Sequence, residues 1–310
     1  MDVQEIFPGV YEMRTEYGHD TAGLLLDGAF PHAVWYIDGP SPALLDPGPT
    51  VVAQDTLRTL EAMGFDPDAI EYVVPSHIHV DHAGGAGWLV GQLSRAQAVF
   101  HTRGAPYMLD VAKLAAGTEE VFGKEWLDVF GELLPVPPDR LITVEEGSHL
   151  ELGGRDYRIV FMPGHSLDHI GVYDEEHRAL YCGHGLGNYL PERRWMPETP
   201  MTLPYFDVAA SIESIRRARD LSPRYLLPAH TGFLAANPAF AIDSVERVTR
   251  EIGELVQAGM AAGRTLDAME EEVRTYFFAK PEKADRSYLP TVMAYVRYYE
   301  RQAHRKAEAG

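Results

Sequence analysis

The sequence predicts an α/β protein: two β-rich halves packed sheet against sheet with helices outside, then a helical tail. Three observations carry that expectation. Residues 51–100 alternate helix-type and strand-type stretches, the rhythm of a sheet covered by helices. A second run of short apolar strands fills residues 141–181, and beyond Phe240 the apolar residues switch to a helical period. The boundary is placed at residue 238, leaving 239–310 as an extension that covers the same domain or builds a subunit interface.

Each element has a local reason. Strand-type runs at 10–13, 23–26, 33–37 and 43–45 are separated by turn residues, and Asp46-Pro47-Gly48 closes the last. Residues 51–63 place Val52, Leu57, Leu60 and Met63 at helical spacing and stop at Gly64. An apolar run at 70–74 reads as a buried strand; a helix at 88–93 and a strand at 98–100 follow. Helices are expected at 105–114 and 119–130, ended by Pro135 to Pro138. Strands then recur at 141–144, 149–152, 157–161, 169–173, 178–181 and from Tyr225. The tail reads as helices at 242–260, 266–277 and 287–302; in the last, Leu289, Val292, Val296 and Tyr299 share a face.

Composition narrows the partners. The apolar fraction of 45% and charged fraction of 24% suit an ordinary globular chain. No apolar run approaches the ~18 residues that suggest a membrane span. The acidic Met1-Asp-Val-Gln-Glu start does not read as a secretory signal. Cys182 is the only cysteine, so no internal disulfide forms and a reducing cytoplasm is the expected compartment. A net charge of −19 with no long basic run disfavours nucleic acid and anionic membranes. Arg193-Arg194 and Arg216-Arg217 are only pairs. A small-molecule substrate is the expected partner.

The chemistry gathers at Pro75-Ser-His-Ile-His-Val-Asp-His82, where three imidazoles and a carboxylate fall within six residues. His77 and His79, two apart in an extended loop, leave the backbone on one side. Asp81 and His82 follow where a helix starts and diverge, so one segment can serve two neighbouring metal ions. The competing reading is a polar loop that happens to be rich in histidine. Gly84 and Gly85 leave room for close backbone approach. Further on, Pro163-Gly164 turns the chain and presents His165 at a strand end, and Tyr225-Leu-Leu-Pro-Ala-His230 delivers another histidine.

The His-x-His-x-Asp-His signature resembles the first metal-binding motif of the metallo-β-lactamase-fold hydrolases, in their glyoxalase II-like and lactonase-like branch. Pro163-Gly-His165-Ser resembles their second motif, and the segment ending at His230 their closing one. The resemblance spans roughly residues 7–235 and implies the four-layer αβ/βα sandwich. It also implies that His165 joins His77 and His79 at one metal, and that His230 joins Asp81 and His82 at the other. Asp46 matches an Asp that precedes the first motif; it supports the histidine loop or is a plain turn residue. His169 reads as a packed or solvated strand histidine, and Cys182 as a buried strand residue.

One position departs from the pattern. Where the family has a carboxylate bridging two metals, this chain has Tyr181-Cys-Gly-His184. A neutral imidazole has a single available lone pair and binds one metal. His184 therefore binds the second metal alone, or binds none, or carries a proton beside the pair. The first is favoured, because Asp81, His82, His184 and His230 make a four-ligand set. Asp81 and His184 are the residues assigned to the chemistry itself. A nitrogen-rich site with one carboxylate suits Zn²⁺, two per chain, with Fe or Mn as alternatives. Three histidines leave an open position at the first ion, whose bound water ionises near pH ~7 and attacks a small ester, thioester or lactone.

The pocket walls are expected from 186–206, with Tyr189, Arg193, Arg194, Trp195, Met196, Tyr205 and Phe206, and from 105–130. Three other functions are weighed. An iron protein handling electrons or oxygen is disfavoured by the missing flavodoxin-like segment and the missing carboxylate at 184. A non-catalytic metal-binding protein is the second, and an RNA-processing enzyme, disfavoured by acidity, the third.

Overall fold

The computed structural model describes residues 1–18, 30–189, 197–234, 237–278 and 287–309. The strand expected at 23–26 and the wall residues Arg193, Arg194, Trp195 and Met196 lie outside the described residues. The chain divides into two compact units. One comprises Met1–Phe161, Asp168–His184 and Pro223–Ala236; the other comprises Met162–Leu167, Gly185–Ser222 and Asn237–Gly310.

The first unit holds both sheets. Seven strands lie side by side in chain order: β1 (Asp2–Phe7), β2 (Val10–Tyr17), β3 (Phe30–Ile37), β4 (Ala43–Leu45), β5 (Tyr72–Val74), β6 (Gln97–His101) and β7 (Leu141–Val144). The pairings from β1 to β4 are antiparallel, and those from β4 to β7 are parallel. Parallel neighbours need a crossover, usually helical. These are α1 (Thr50–Ala62) after β4, and α2 (Val80–Ala83) with α3 (Ala86–Gln92) after β5. After β6 come α4 (Ala105–Leu109), α5 (Ala112–Phe122) and α6 (Trp126–Phe130).

Two expectations shift here. Residues 141–144, grouped by sequence with the second β-rich block, belong to the first sheet, because the helical stretch before them is the crossover that returns the chain parallel to β6. The helices expected at 105–114 and 119–130 are three shorter ones; Asp110 breaks the first by accepting a hydrogen bond at 3.1 Å from Ala112 N at the start of α5. The edge strand β1 was not expected, since most of its residues are exposed or half-buried and carry no apolar alternation.

The second sheet has five strands: β8 (His149–Leu152), β9 (Arg155–Phe161), β10 (Ile170–Asp174), β11 (Ala179–Gly183) and β12 (Tyr225–Pro228), in the order β12-β11-β10-β9-β8. Only β11 and β12 run parallel. Between the sheets lies a core to which Trp35, Ile37, Leu45 and Val99 contribute from the first, and Tyr157, Ile159, Val172, Tyr181 and Leu227 from the second. Trp35 meets Tyr181 edge-on at 5.7 Å between centroids. The alternate residues of β3, Val34 and Tyr36, face the other way and join Val52, Leu60, Leu89 and Phe130 from the helices. This is the two-residue period of a strand covered on both faces.

In the second unit α7 (Val208–Asp220), α8 (Pro238–Ala261), α9 (Leu266–Phe277) and α10 (Leu289–Ala309) build their own core around Val248, Ile252, Val273, Val292 and Tyr295. The tail helices are thus present, and they share that core with α7. On α10 the buried residues are Thr291, Val292, Ala294, Tyr295 and Tyr298, while Val296 and Tyr299 are half-buried. No described helix is long and apolar enough to cross a membrane.

Trp35→Ala should leave a large cavity between the sheets and cost ~3–5 kcal/mol in urea unfolding. A loss under ~1 kcal/mol would show that the sheets do not depend on this ring.

Candidate metal centre

The site is built at strand ends. The turn after β5 carries Ser76, His77 and His79, and α2 carries Asp81 and His82. His77 Nε2 and His79 Nδ1 lie 2.8 Å apart, as expected for side chains two residues apart in an extended turn. His184 follows β11 by one residue and His230 follows β12 by two. Because these two strands are parallel neighbours, both histidines emerge at the same end of the sheet. Ligand atoms of His82, His184 and His230 all lie within 4.8 Å of one another. Asp81 Oδ2 is 3.3 Å from His82 Nε2 and 3.6 Å from His230 Nε2.

His184 is delivered by Gly183, at φ +51, where a Cβ would collide with Ser76 Oγ. The glycine is required by both dihedral and space.

His165 sits on the Met162–Leu167 turn of the second unit, buried. The turn is fastened within that unit: Asp207 N donates to Gly164 O at 2.9 Å and Ser214 Oγ to Pro163 O at 2.6 Å. In the first unit, the residues flanking this turn are also fixed. Phe161 pairs with Ile170, and Asp168 Oδ2 accepts from Ile78 N at 2.9 Å, between His77 and His79.

The outer ring nitrogens are held by the protein. His82 Nδ1 donates to Asp46 Oδ1 at 3.2 Å, and that oxygen also accepts from Ser76 N at 2.7 Å. Of the two sequence readings of Asp46, the geometry gives support of the histidine loop. His230 Nδ1 donates to Pro31 O at 3.1 Å, and Ser76 Oγ lies 3.0 Å from His77 Nδ1. His169 is fully buried, accepts from His184 N on Nε2 at 3.2 Å and stacks on His77. It is a packed support beside the site. Cys182 is a buried thiol whose pKa burial pushes up, the opposite of a thiolate ligand.

The donor set fits a cation. Burial, then the neighbouring histidines, push His184 and His230 below 6.5; burial does the same to His79. These rings are neutral and offer lone pairs, the state that ligation needs. His82 is the exception. Burial opposes its charge, yet Asp81 and Asp46 outweigh it and raise its pKa from 6.5 to about 10. Its Nε2 lies 3.1 Å from that of His230, whose Nδ1 proton is already committed. Positive charge therefore belongs between these nitrogens, supplied by a proton on His82 or by a metal that displaces it.

Sequence reasoning missed Ser76, Asp168 and His32. Ser76 sits inside the first quoted motif and Asp168 just beyond the second, so their positions were visible but their contacts were not. His32, buried on β3, has no spacing to any other histidine that would announce it. Burial and the neighbouring His82 push its pKa down to about 4.

Two sheets with interleaved helices carry histidines that converge from separate strand ends, a donor arrangement able to hold a metal ion. The match to the Metallo-beta-lactamase superfamily covers residues 27–230, and the chain belongs to that family. It is 28% identical over 178 residues to an acyl-coenzyme A thioesterase of Gallus gallus, covering 55% of this chain and 60% of the relative. It is 27% identical over 250 residues to a hydroxyacylglutathione hydrolase of Rhodospirillum rubrum, covering 78% and 79%. The chain thus spans less than two thirds of the length of the first of these relatives. A solved metallo-beta-lactamase family protein of Thermus thermophilus shares the fold at TM-score 0.69, with 18% identity, covering 96% of this chain and 95% of that one.

The Asp46–His82 pair makes stability of the metal-free protein pH-dependent. Burial raises the pKa of Asp46, but His82 and Ser76 overcome it and lower it from 3.8 to about 2. A lowered carboxyl pKa stabilises the fold above 3.8, and the contribution is lost as pH falls through about 2; it is worth roughly 2 kcal/mol. Asp46→Asn should flatten the fall in melting temperature of metal-free protein between pH 4 and 2. An unchanged acid limb would remove Asp46 from that role.

Proposed function

We propose that this chain is a metal-dependent hydrolase of a small ester, thioester or lactone, with two divalent cations per chain, Zn²⁺ first and Fe or Mn as alternatives. The reading assigns His77, His79 and His165 to one cation, and Asp81, His82, His184 and His230 to the other. When bound, such cations polarise a substrate oxygen and lower the pKa of water. The observation that carries the reading is the cluster of His82, His184 and His230, three neutral or neutralisable imidazoles with converging ligand atoms.

His184 takes its place in the second set as a terminal ligand, since a neutral imidazole does not span two ions as a carboxylate does. Asp81 is the one carboxylate among the seven assigned ligands. Its pKa is raised by burial but lowered more by His82, His230 and His79, so it stays ionised. In this reading it would balance the positive charge of the cations and accept a hydrogen bond from attacking water. Asp46, Ser76 and Pro31 hold the ligand rings in orientation, the support that metal-binding histidines ordinarily need.

Similarity to a thioesterase and a hydroxyacylglutathione hydrolase supports thioesters as the first substrates to try. The net charge of −19 favours a small molecule over nucleic acid or an anionic membrane. The single cysteine is a free thiol, in keeping with a cytoplasmic setting.

Metal analysis by plasma emission should return two equivalents per chain, and a chelator should abolish hydrolysis of a thioester, ester and lactone panel until Zn²⁺ is restored. His79→Ala should lower the rate by more than the ~100-fold typical of lost supporting residues. One equivalent under metal-replete conditions refutes the two-metal set. Failure of both the parent and His184→Asp on the whole panel favours a non-catalytic metal-binding protein.

A further inference from the structure

His32, the third residue of β3, is a buried histidine outside the proposed ligand set. His32 lies on β3, between Pro31, whose carbonyl accepts from His230 Nδ1, and Ala33, whose N–H donates to Ala229 O. Its ring stands edge-on to two ligand rings at once, 5.7 Å from His82 and 5.8 Å from His230, at 72° to each. Its Nε2 donates to the carbonyl of Asp46 at 2.9 Å. Asp46 adopts a left-handed conformation, φ +46, and its carboxylate in turn accepts from His82. Gly48 packs close by: it is at φ +75, and a Cβ there would collide with Val52 and lie 3.1 Å from His32 Nε2.

The other nitrogen, Nδ1, is buried with no hydrogen-bond partner. A buried polar atom left unsatisfied is a cost that calls for an explanation. An apolar side chain of the same size would fill the space without it. What an apolar side chain lacks is the Nε2–H that reaches the Asp46 carbonyl.

We infer that His32 is a positioning residue for the second metal: it wedges His82 and His230 at a fixed mutual angle and holds Asp46 in the strained turn from which its carboxylate orients His82. The inference rests on the two-metal reading above. His32 touches neither substrate nor metal. It acts through the ligands, so its removal should weaken the second site and spare the first.

The test is a Co²⁺ titration of metal-free protein, read by absorption of each site, with thermal unfolding of the metal-free forms as a folding control. The wild type should take up two equivalents. His32→Leu should bind the second equivalent 10- to 100-fold more weakly, the range for lost supporting contacts to metal ligands, with the first unchanged. His32→Gln, which keeps a donor near Nε2, should recover most of that loss; His32→Asn, with its donor nearer Nδ1, should not. If His32→Leu does not fold, the Gln and Asn forms decide: equal affinities for the second equivalent overturn the inference. Undiminished second-site affinity in a folded His32→Leu protein also overturns it, while leaving the two-metal reading standing. A wild type that takes up a single equivalent overturns both.

Discussion

Gathering His77, His79, Asp81, His82, His184 and His230 at the ends of three strands and the start of one short helix is the constraint on which the rest depends. Neutral imidazoles packed this closely present lone pairs to one another. Such an arrangement holds only if positive charge sits among them. In the metal-free chain the raised pKa of His82 supplies it, drawn by Asp81 and Asp46. The same lone pairs and the Asp81 carboxylate are what a divalent cation seeks, so a bound cation would meet the same electrostatic demand.

The sheets exist in the form they do because that cluster has to be reached from distant parts of the chain. Parallel pairing of β4, β5 and β6 brings the Asp46 turn beside the His77–His82 turn, and parallel pairing of β11 and β12 brings His184 beside His230. Ligands at carboxyl ends of parallel strands are a recurrent place for a site, because the turns there are free of the sheet's hydrogen bonding. Pro31 and His32 on β3 add contacts of their own, to His230 and to the Asp46 carbonyl. His184, where the resemblance implies a carboxylate, leaves Asp81 as the only carboxylate in the proposed ligand set.

The histidine spacing after residue 75, the Pro-Gly turn before His165 and the strand before His230 could be read without coordinates, since each is a local pattern of a few residues. Most strands and the tail helices were readable for the same reason: period-two and period-3.6 apolar patterning is written into contiguous sequence. The sequence also singled out position 184 as the departure from the family. It left open whether that histidine binds, carries a proton or does neither.

Folding brought what local pattern cannot carry. Sheet membership of residues 141–144 depends on which strand they meet after a helical crossover, and the edge strand at Asp2–Phe7 depends on a neighbour to pair with. Likewise the clustering of His184 with His82 and His230, the Asp46 carboxylate on His82, and the His32 wedge join residues tens to well over a hundred positions apart. Sequence determined the chemical identity of the ligands, because side-chain chemistry is local. Tertiary structure decided which of these side chains come within reach of one another and what holds them, because distance and orientation arise only when the strands pair.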